Sequence, residues 1–219
     1  GKIAKATNSI YIVDATQSVG QIPIDVQAIQ CDALTATGRK WLRGPRGTGF
    51  IYVRKGASFT TNSVDGSSSK AYKIGGTIIV EKIDTARQFE MWERNYGLML
   101  GLSNAFHEYV VIGMEAVHST ILGHANKIRS AIINNKKLQL VGKSNSESGI
   151  IGILAQSAAI HQEIIDKFVD NVITVNQIHE WACPLFFDTE TKVIRLAAHH
   201  DVDPKHISMV VHVLQSIGL

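Results

Sequence analysis

The sequence predicts an α/β fold, with a mostly parallel sheet flanked by helices in its first part and a smaller α+β domain in its second. Three observations carry that expectation. Residues 10–13 and 31–36 are apolar runs that stop abruptly, the first at Asp14 and the second at Thr37-Gly38-Arg39-Lys40, and both read as buried strands. Between them lie a turn at residues 20–23 and a short helical segment at 25–30, whose Val26 and Ile29 fall three apart on one face. Beyond residue 95, long stretches of helical spacing give way to short strands alternating with helices.

A strand, a crossover and a second strand connect with one hand in nearly all proteins, which makes the two strands parallel and brings their carboxyl ends to one edge. Asp14, Gln17, Thr37, Arg39 and Lys40 then line one crevice, where open α/β sheets bind ligands. A lysine whose amine is neutral forms a Schiff base with an aldehyde cofactor, and burial or a cationic neighbour such as Arg39 favours the neutral form. A carboxylate facing the ring nitrogen of that cofactor keeps the ring electron-poor, which is the protein's share of pyridoxal phosphate chemistry.

The residues that carry this chemistry also carry a resemblance. Asp14-Ala15-Thr16-Gln17-Ser18-Val19-Gly20, Pro23-Ile24-Asp25-Val26, Cys31-Asp32-Ala33, Thr37-Gly38-Arg39-Lys40 and Gly44-Pro45-Arg46-Gly47-Thr48-Gly49 together resemble the core signature of class V, fold type I aminotransferase-like enzymes. That superfamily includes cysteine desulfurases, selenocysteine lyases, isopenicillin N epimerase-like proteins and ergothioneine-type carbon-sulfur lyases. The resemblance implies that Lys40 bears the internal aldimine and is the catalytic group, and that Asp14 pairs with the pyridine nitrogen. It further implies that Gln17 contacts the phenolic oxygen and that Thr37 and Arg39 contact the phosphate. Many desulfurases have histidine at the position of Arg39. A permanently charged arginine is the stronger phosphate partner and points to the lyase and epimerase branch. In the family, an N-terminal half of the large domain precedes the equivalent of Asp14. Here the chain begins at Gly1 and reaches its first strand within about ten residues, so it is expected to be an excerpt.

Composition narrows the class. A 219-residue chain with 45% hydrophobic and 19% charged residues has the make-up of an ordinary globular protein with a sizeable core. A net charge of +3 is too small to argue for nucleic acid. Residues 33–64 nevertheless hold Arg39, Lys40, Arg43, Arg46, Arg54 and Lys55 without one acidic residue, a positive mouth suited to a phosphorylated cofactor and a carboxylate substrate. For Arg54 and Lys55 a solvated basic loop is the simpler reading. Cys31 and Cys183 lie far apart and form no metal or redox spacing, which makes a reducing cytoplasm the default. No apolar run approaches the roughly 18 residues of a membrane span, and no signal peptide is visible.

Along the chain, residues 1–94 are expected to be the C-terminal half of the cofactor-binding large domain, 95–112 a connecting helix, and 113–219 the small α+β domain. Residues 50–53 read as a strand after a glycine-rich tight turn that brings backbone close to Lys40. Residues 58–71, with the run Gly66-Ser67-Ser68-Ser69, read as an exposed mobile loop. Gly75-Gly76 and Arg87-Gln88-Phe89-Glu90 resemble the family's segment near the neighbouring subunit's cofactor, which implies a homodimer. Where the family continues Gly-Thr this chain has Trp92-Glu93, and the alternative is that Phe89, Trp92 and Tyr96 form an aromatic packing face at helical spacing.

From 95 to 135 two helices are expected, broken near Gly113. Their His107, His118 and His124 read as solvated or capping residues, since none has a second ligand at i+4. Strands are expected at 138–141, 149–155, 172–175 and 192–197. Helices are expected at 160–169 and 204–217, the last capped by Asp203 with Pro204 in its first turn. Arg195-Leu196-Ala197-Ala198-His199-His200 resembles the family's Arg-x-Ser-x-His segment, which implies that Arg195 grips the substrate's α-carboxylate. A salt bridge to Asp188 or Glu190 is the alternative. His199-His200-Asp201 is not expected to hold a metal, because adjacent side chains on an extended chain point to opposite sides. Cys183 lies on the segment before Arg195, where desulfurases carry their nucleophile, but its apolar neighbours favour an inert thiol. The sequence therefore predicts a pyridoxal phosphate-dependent aminotransferase or carbon-sulfur lyase acting on a small amino acid. The alternatives are a desulfurase or selenocysteine lyase using Cys183, and a non-catalytic remnant.

Overall fold

Residues 10–37 fold as two parallel strands joined by a short helix. The computed structural model describes residues 1–57, 59, 61, 65–171, 173, 176–178 and 193–219. These divide into two units, Gly1–Val111 and Ile112–Leu219.

The first unit opens with a short helix α1, Lys2–Ala6, then β1, Ile12–Asp14, the helix α2, Val26–Ile29, and β2, Ala33–Thr37. Asp25 caps α2, its carboxylate accepting from the N–H groups of Gln27 at 2.8 Å and Ala28 at 3.1 Å. Gln30 ends the helix in the left-handed region at φ 60°. Strands β1 and β2 pair in parallel with Asp14 opposite Thr35. Ala15, Cys31 and Leu34 are buried between them, with Val13, Val19, Ile24, Val26 and Ile29 packed around. The run at 31–36 is buried as expected, whereas the run at 10–13 is not: Ile10 and Ile12 are exposed, because β1 is the edge strand of its sheet and covers only one face.

The third strand corrects the expectation of a mostly parallel sheet. β3, Gly49–Val53, runs antiparallel to β2, so the sheet β1-β2-β3 holds one parallel and one antiparallel pairing. A parallel neighbour needs a long crossover, whereas residues 38–48 form a tight turn that returns the chain directly.

A second correction concerns residues 65–71, expected in a mobile loop. Asp65 accepts hydrogen bonds from the Ser67 N–H and hydroxyl, both at 2.8 Å, and from the Trp92 N–H at 2.7 Å. Ser67 and Ser68 are buried. From Ser69 the chain enters a hairpin of β4, Ser69–Ile74, and β5, Thr77–Lys82. Its two-residue turn, Gly75-Gly76, has φ of 55° and 89°, a backbone that glycine adopts without penalty. The alternative aromatic face also fails. Phe89 ends a 3-10 turn, Ala86–Phe89, residues 90–95 are not helical, and Trp92 and Tyr96 are 57% and 60% exposed. The helix α3, Tyr96–Ile112, follows, and its Phe106 meets Phe50 edge to face at 5.4 Å.

In the second unit α4, Met114–Asn134, begins after Gly113, which breaks the helical run at φ 87°. Then come β6, Leu138–Val141, β7, Ile150–Ala155, α5, Ala158–Asp170, β8, Asn176–Ile178, β9, Val193–Ala197, and α6, Pro204–Gln215. The sheet order is β6-β7-β9-β8 and all neighbours are antiparallel. The core joins Ile151 and Ile153 of β7 and Ile194 and Leu196 of β9 to Ile128 and Ile132 of α4, Phe168 of α5 and Leu214 of α6. Asp203 caps α6 through the Lys205 N–H at 2.8 Å, with Pro204 in the first turn as predicted. The strand expected at 172–175 falls mostly outside the described residues. No helix among the described residues is long and apolar enough to cross a membrane.

Candidate active site

The carboxyl ends of β1 and β2 set the candidate site. Asp14 closes β1, and the chain turns at once, with the Ala15 N–H donating to Thr35 O at 2.8 Å and the Ser18 and Val19 N–H groups returning to Ala15 O. Gln17 lies half-buried on that turn. Thr37 closes β2, and its hydroxyl donates to Thr48 O at 3.3 Å. Arg39 is exposed and Lys40 half-buried on the loop beyond. Asp14, Gln17, Thr37, Arg39 and Lys40 therefore stand along one edge of the sheet, as the crossover argument requires.

The electrostatics of Asp14 follow from its neighbours. The Thr16 hydroxyl and N–H, the latter 2.9 Å from Oδ1, hold its carboxyl below the usual carboxylate range, and the Lys40 ammonium adds to the effect. Asp14 is thus ionised at neutral pH.

The lysine loop is held by residues that sequence reasoning missed. The Tyr109 hydroxyl of α3 donates to the carbonyl of Trp41, directly after Lys40. The Arg43 N–H returns to Lys40 O at 2.9 Å, and Gly44 N–H to Gly38 O at 2.8 Å. A Cβ on Gly20 would lie 2.6 Å from the Trp41 carbonyl carbon and 2.7 Å from the Leu42 nitrogen, so the turn after β1 rests directly on the lysine loop. A turn was expected at residues 20–23, but nothing in the sequence named Trp41-Leu42 as the surface that Gly20 meets. Tyr109 left no signal, being one aromatic on an apolar helix.

The donor set suits pyridoxal phosphate. An ionised carboxylate and an amine share one edge, and a hydroxyl, an amide and a guanidinium line the same edge as hydrogen-bond partners for an anionic cofactor. Arg195 belongs to the second unit, mid-strand on β9 between Gly152 of β7 and Asn176 of β8, and half-buried. Cys183, Asp188 and Glu190 lie outside the described residues.

His118 and His124 are both paired. The first meets Glu147 O at 3.1 Å. The second is buried rather than solvated and meets His199 O at 3.1 Å. The premise that His199 and His200 diverge is overturned: β9 ends at Ala197, the chain turns, and the two rings lie 4.5 Å apart between centroids.

A strand, a crossover helix and a parallel strand, with an acid and a lysine at one edge, make the first unit part of an α/β fold. The chain belongs to the Aminotransferase class-V family, whose profile matches residues 1–206. A probable cysteine desulfurase of Methanothermobacter thermautotrophicus is 24% identical over 230 residues, covering all of this chain and 55% of that protein. Cysteine desulfurase IscS of Glaesserella parasuis is 42% identical over 84 residues, 38% of this chain and 20% of that protein. Among solved structures, the cysteine desulfurase CsdA of Escherichia coli superposes with a TM-score of 0.77 at 17% identity, covering 97% of this chain and 52% of that one. The cystine C-S lyase C-DES, solved with cysteine persulfide, gives 0.73 at 22% identity, covering 93% and 51%. The chain spans about half the length of these full-chain relatives.

Proposed function

We propose that this chain carries the cofactor-anchoring lysine of a pyridoxal phosphate-dependent enzyme that acts on an amino acid, as a carbon-sulfur lyase or an aminotransferase. The observation that supports this most is the placement of Asp14 at the carboxyl end of β1 and of Lys40 on the loop just beyond the carboxyl end of the parallel neighbour β2. When bound, pyridoxal phosphate supplies a protonated ring that draws electrons from the substrate's α-carbon. Asp14 is the residue that keeps a ring nitrogen protonated. Lys40 anchors the cofactor by its amine and, once substrate has displaced it, takes the α-proton and returns it. Gln17 donates to the phenolic oxygen, Thr37 and Arg39 bind phosphate, and Arg195 holds the α-carboxylate with its planar fork. The working unit in this reading is a homodimer, as in fold type I enzymes. The similarity to a cystine C-S lyase favours loss of a sulfur substituent over amino transfer.

Borohydride reduction of the complete protein is expected to fix a phosphopyridoxyl group on Lys40, located by mass spectrometry. An adduct on another lysine overturns the assignment, and a colourless protein that takes up no added cofactor supports a non-catalytic remnant.

A second reading, cysteine desulfuration through Cys183, is favoured by the desulfurases among the relatives. Cys183→Ala separates the two, since a lyase keeps releasing sulfide from cysteine whereas a desulfurase loses nearly all of it.

A further inference from the structure

The segment that links β9 to α6 brings three metal-ligating side chains together. His199, His200 and Asp201 each offer one ligand atom, and these atoms lie within 4.8 Å of one another. His199 Nδ1 is 2.6 Å from an oxygen of Asp201. The two imidazoles lie at 41° to each other.

The backbone beneath them is fixed. Ala198 is buried and its N–H donates to Gly149 O at 2.9 Å, while His199 O accepts from Nδ1–H of buried His124 at 3.1 Å. A carbonyl can only accept, so this bond assigns the His124 tautomer. The backbone at the first ligand residue is thereby tied to Gly149, just before β7, through Ala198 and to α4 through its own carbonyl, and little backbone freedom remains to be lost on binding. Asp203 is not among the ligands, because its carboxylate caps α6.

We propose that His199, His200 and Asp201 form a binding site for one divalent d-block cation of the zinc or cobalt type. Two imidazole nitrogens and one carboxylate oxygen suit such ions, whereas magnesium and calcium prefer all-oxygen sets. Tetrahedral ligands at about 2.05 Å from zinc stand roughly 3.3 Å from one another. The present spacings, from 2.6 Å to at most 4.8 Å, bracket that distance. The cation takes the place of the direct contact between His199 and Asp201, each neutral imidazole keeping its proton on the nitrogen that does not ligate, with no change of oxidation state. Three protein ligands leave a fourth position for water or an exogenous donor. The site is independent of the cofactor reading, since none of its residues is assigned to cofactor or substrate.

The test is titration of the whole chain, stripped with chelator and dialysed, with Co²⁺ followed by its d–d absorption and with Zn²⁺ by calorimetry. One equivalent is expected to bind with the intense spectrum of a low-symmetry Co²⁺ complex. His200→Ala and Asp201→Asn, each verified as folded by circular dichroism, are expected to weaken binding by at least about tenfold. His118→Ala and Cys183→Ala are expected to leave it unchanged. The inference is overturned by the absence of stoichiometric binding, by His200→Ala and Asp201→Asn binding as the parent does, or by loss of binding in Cys183→Ala.

Discussion

Asp14 closes β1 and Lys40 lies on the loop beyond β2, twenty-six positions later in sequence, at the same edge of the sheet. The Thr16 hydroxyl and amide keep Asp14 acidic, so its charge persists through the neutral range. Under the proposed function Asp14→Ala removes the partner of a protonated ring nitrogen and is expected to lower turnover of the complete protein by roughly 10²–10³. Lys40 stays competent for borohydride trapping in that variant. Steady-state kinetics set beside adduct yield check both parts, and an unimpaired turnover removes Asp14 from the site. The edge on which both residues stand was legible because the two apolar runs stop abruptly, one at Asp14 and the other at Thr37. Tyr109 was not legible, because its partner is a backbone carbonyl 68 residues away, and backbone groups leave no mark in composition.

Among the elements, the first crossover was readable because local signals agree: Asp25 as cap, Val26 and Ile29 as the inward face, β1 and β2 as apolar runs. The β4–β5 hairpin was not. Ser69-Lys70-Ala71-Tyr72-Lys73-Ile74 places two lysines in a strand with few buried positions, and only the Gly-Gly turn marked it. The Asp65 hub depends on an N–H 27 residues distant, so the serine run beside it looked unstructured. In the second unit, α5 is tied to the end of α6 through Glu163, which pairs with Lys167 at 2.8 Å and accepts from the Gly218 N–H at 3.1 Å. These partners, the Lys167 hydrogen bond first, lower its pKa. A carboxylate whose folded pKa is depressed stabilises above its unfolded value, near 4.3, and loses that contribution as pH falls through the lower folded value. Glu163→Gln is therefore expected to be less stable than the parent at neutral pH, the gap closing at pH below about 4. Urea melts across that range check it, and a gap independent of pH refutes the tie.

At the scale of the whole molecule, the two units differ in what they leave to solvent. The second unit has a continuous core between its sheet and α4, α5 and α6. The first exposes Val110 at 78% and Ile78 at 70%, together with Ile12, Ile74, Leu100 and Val111. Apolar area of this extent marks surface built to be covered, so the 219-residue chain alone is expected to self-associate as its concentration rises. Sedimentation velocity checks this, and a single monomeric species at all concentrations rules it out. The bond from Tyr109 to the carbonyl beside Lys40 has a temporal consequence. Contacts between residues so remote along the chain form late, because a long stretch must be closed before they are rewarded. The loop that carries Lys40 is therefore expected to reach its final pose only after α3 has docked.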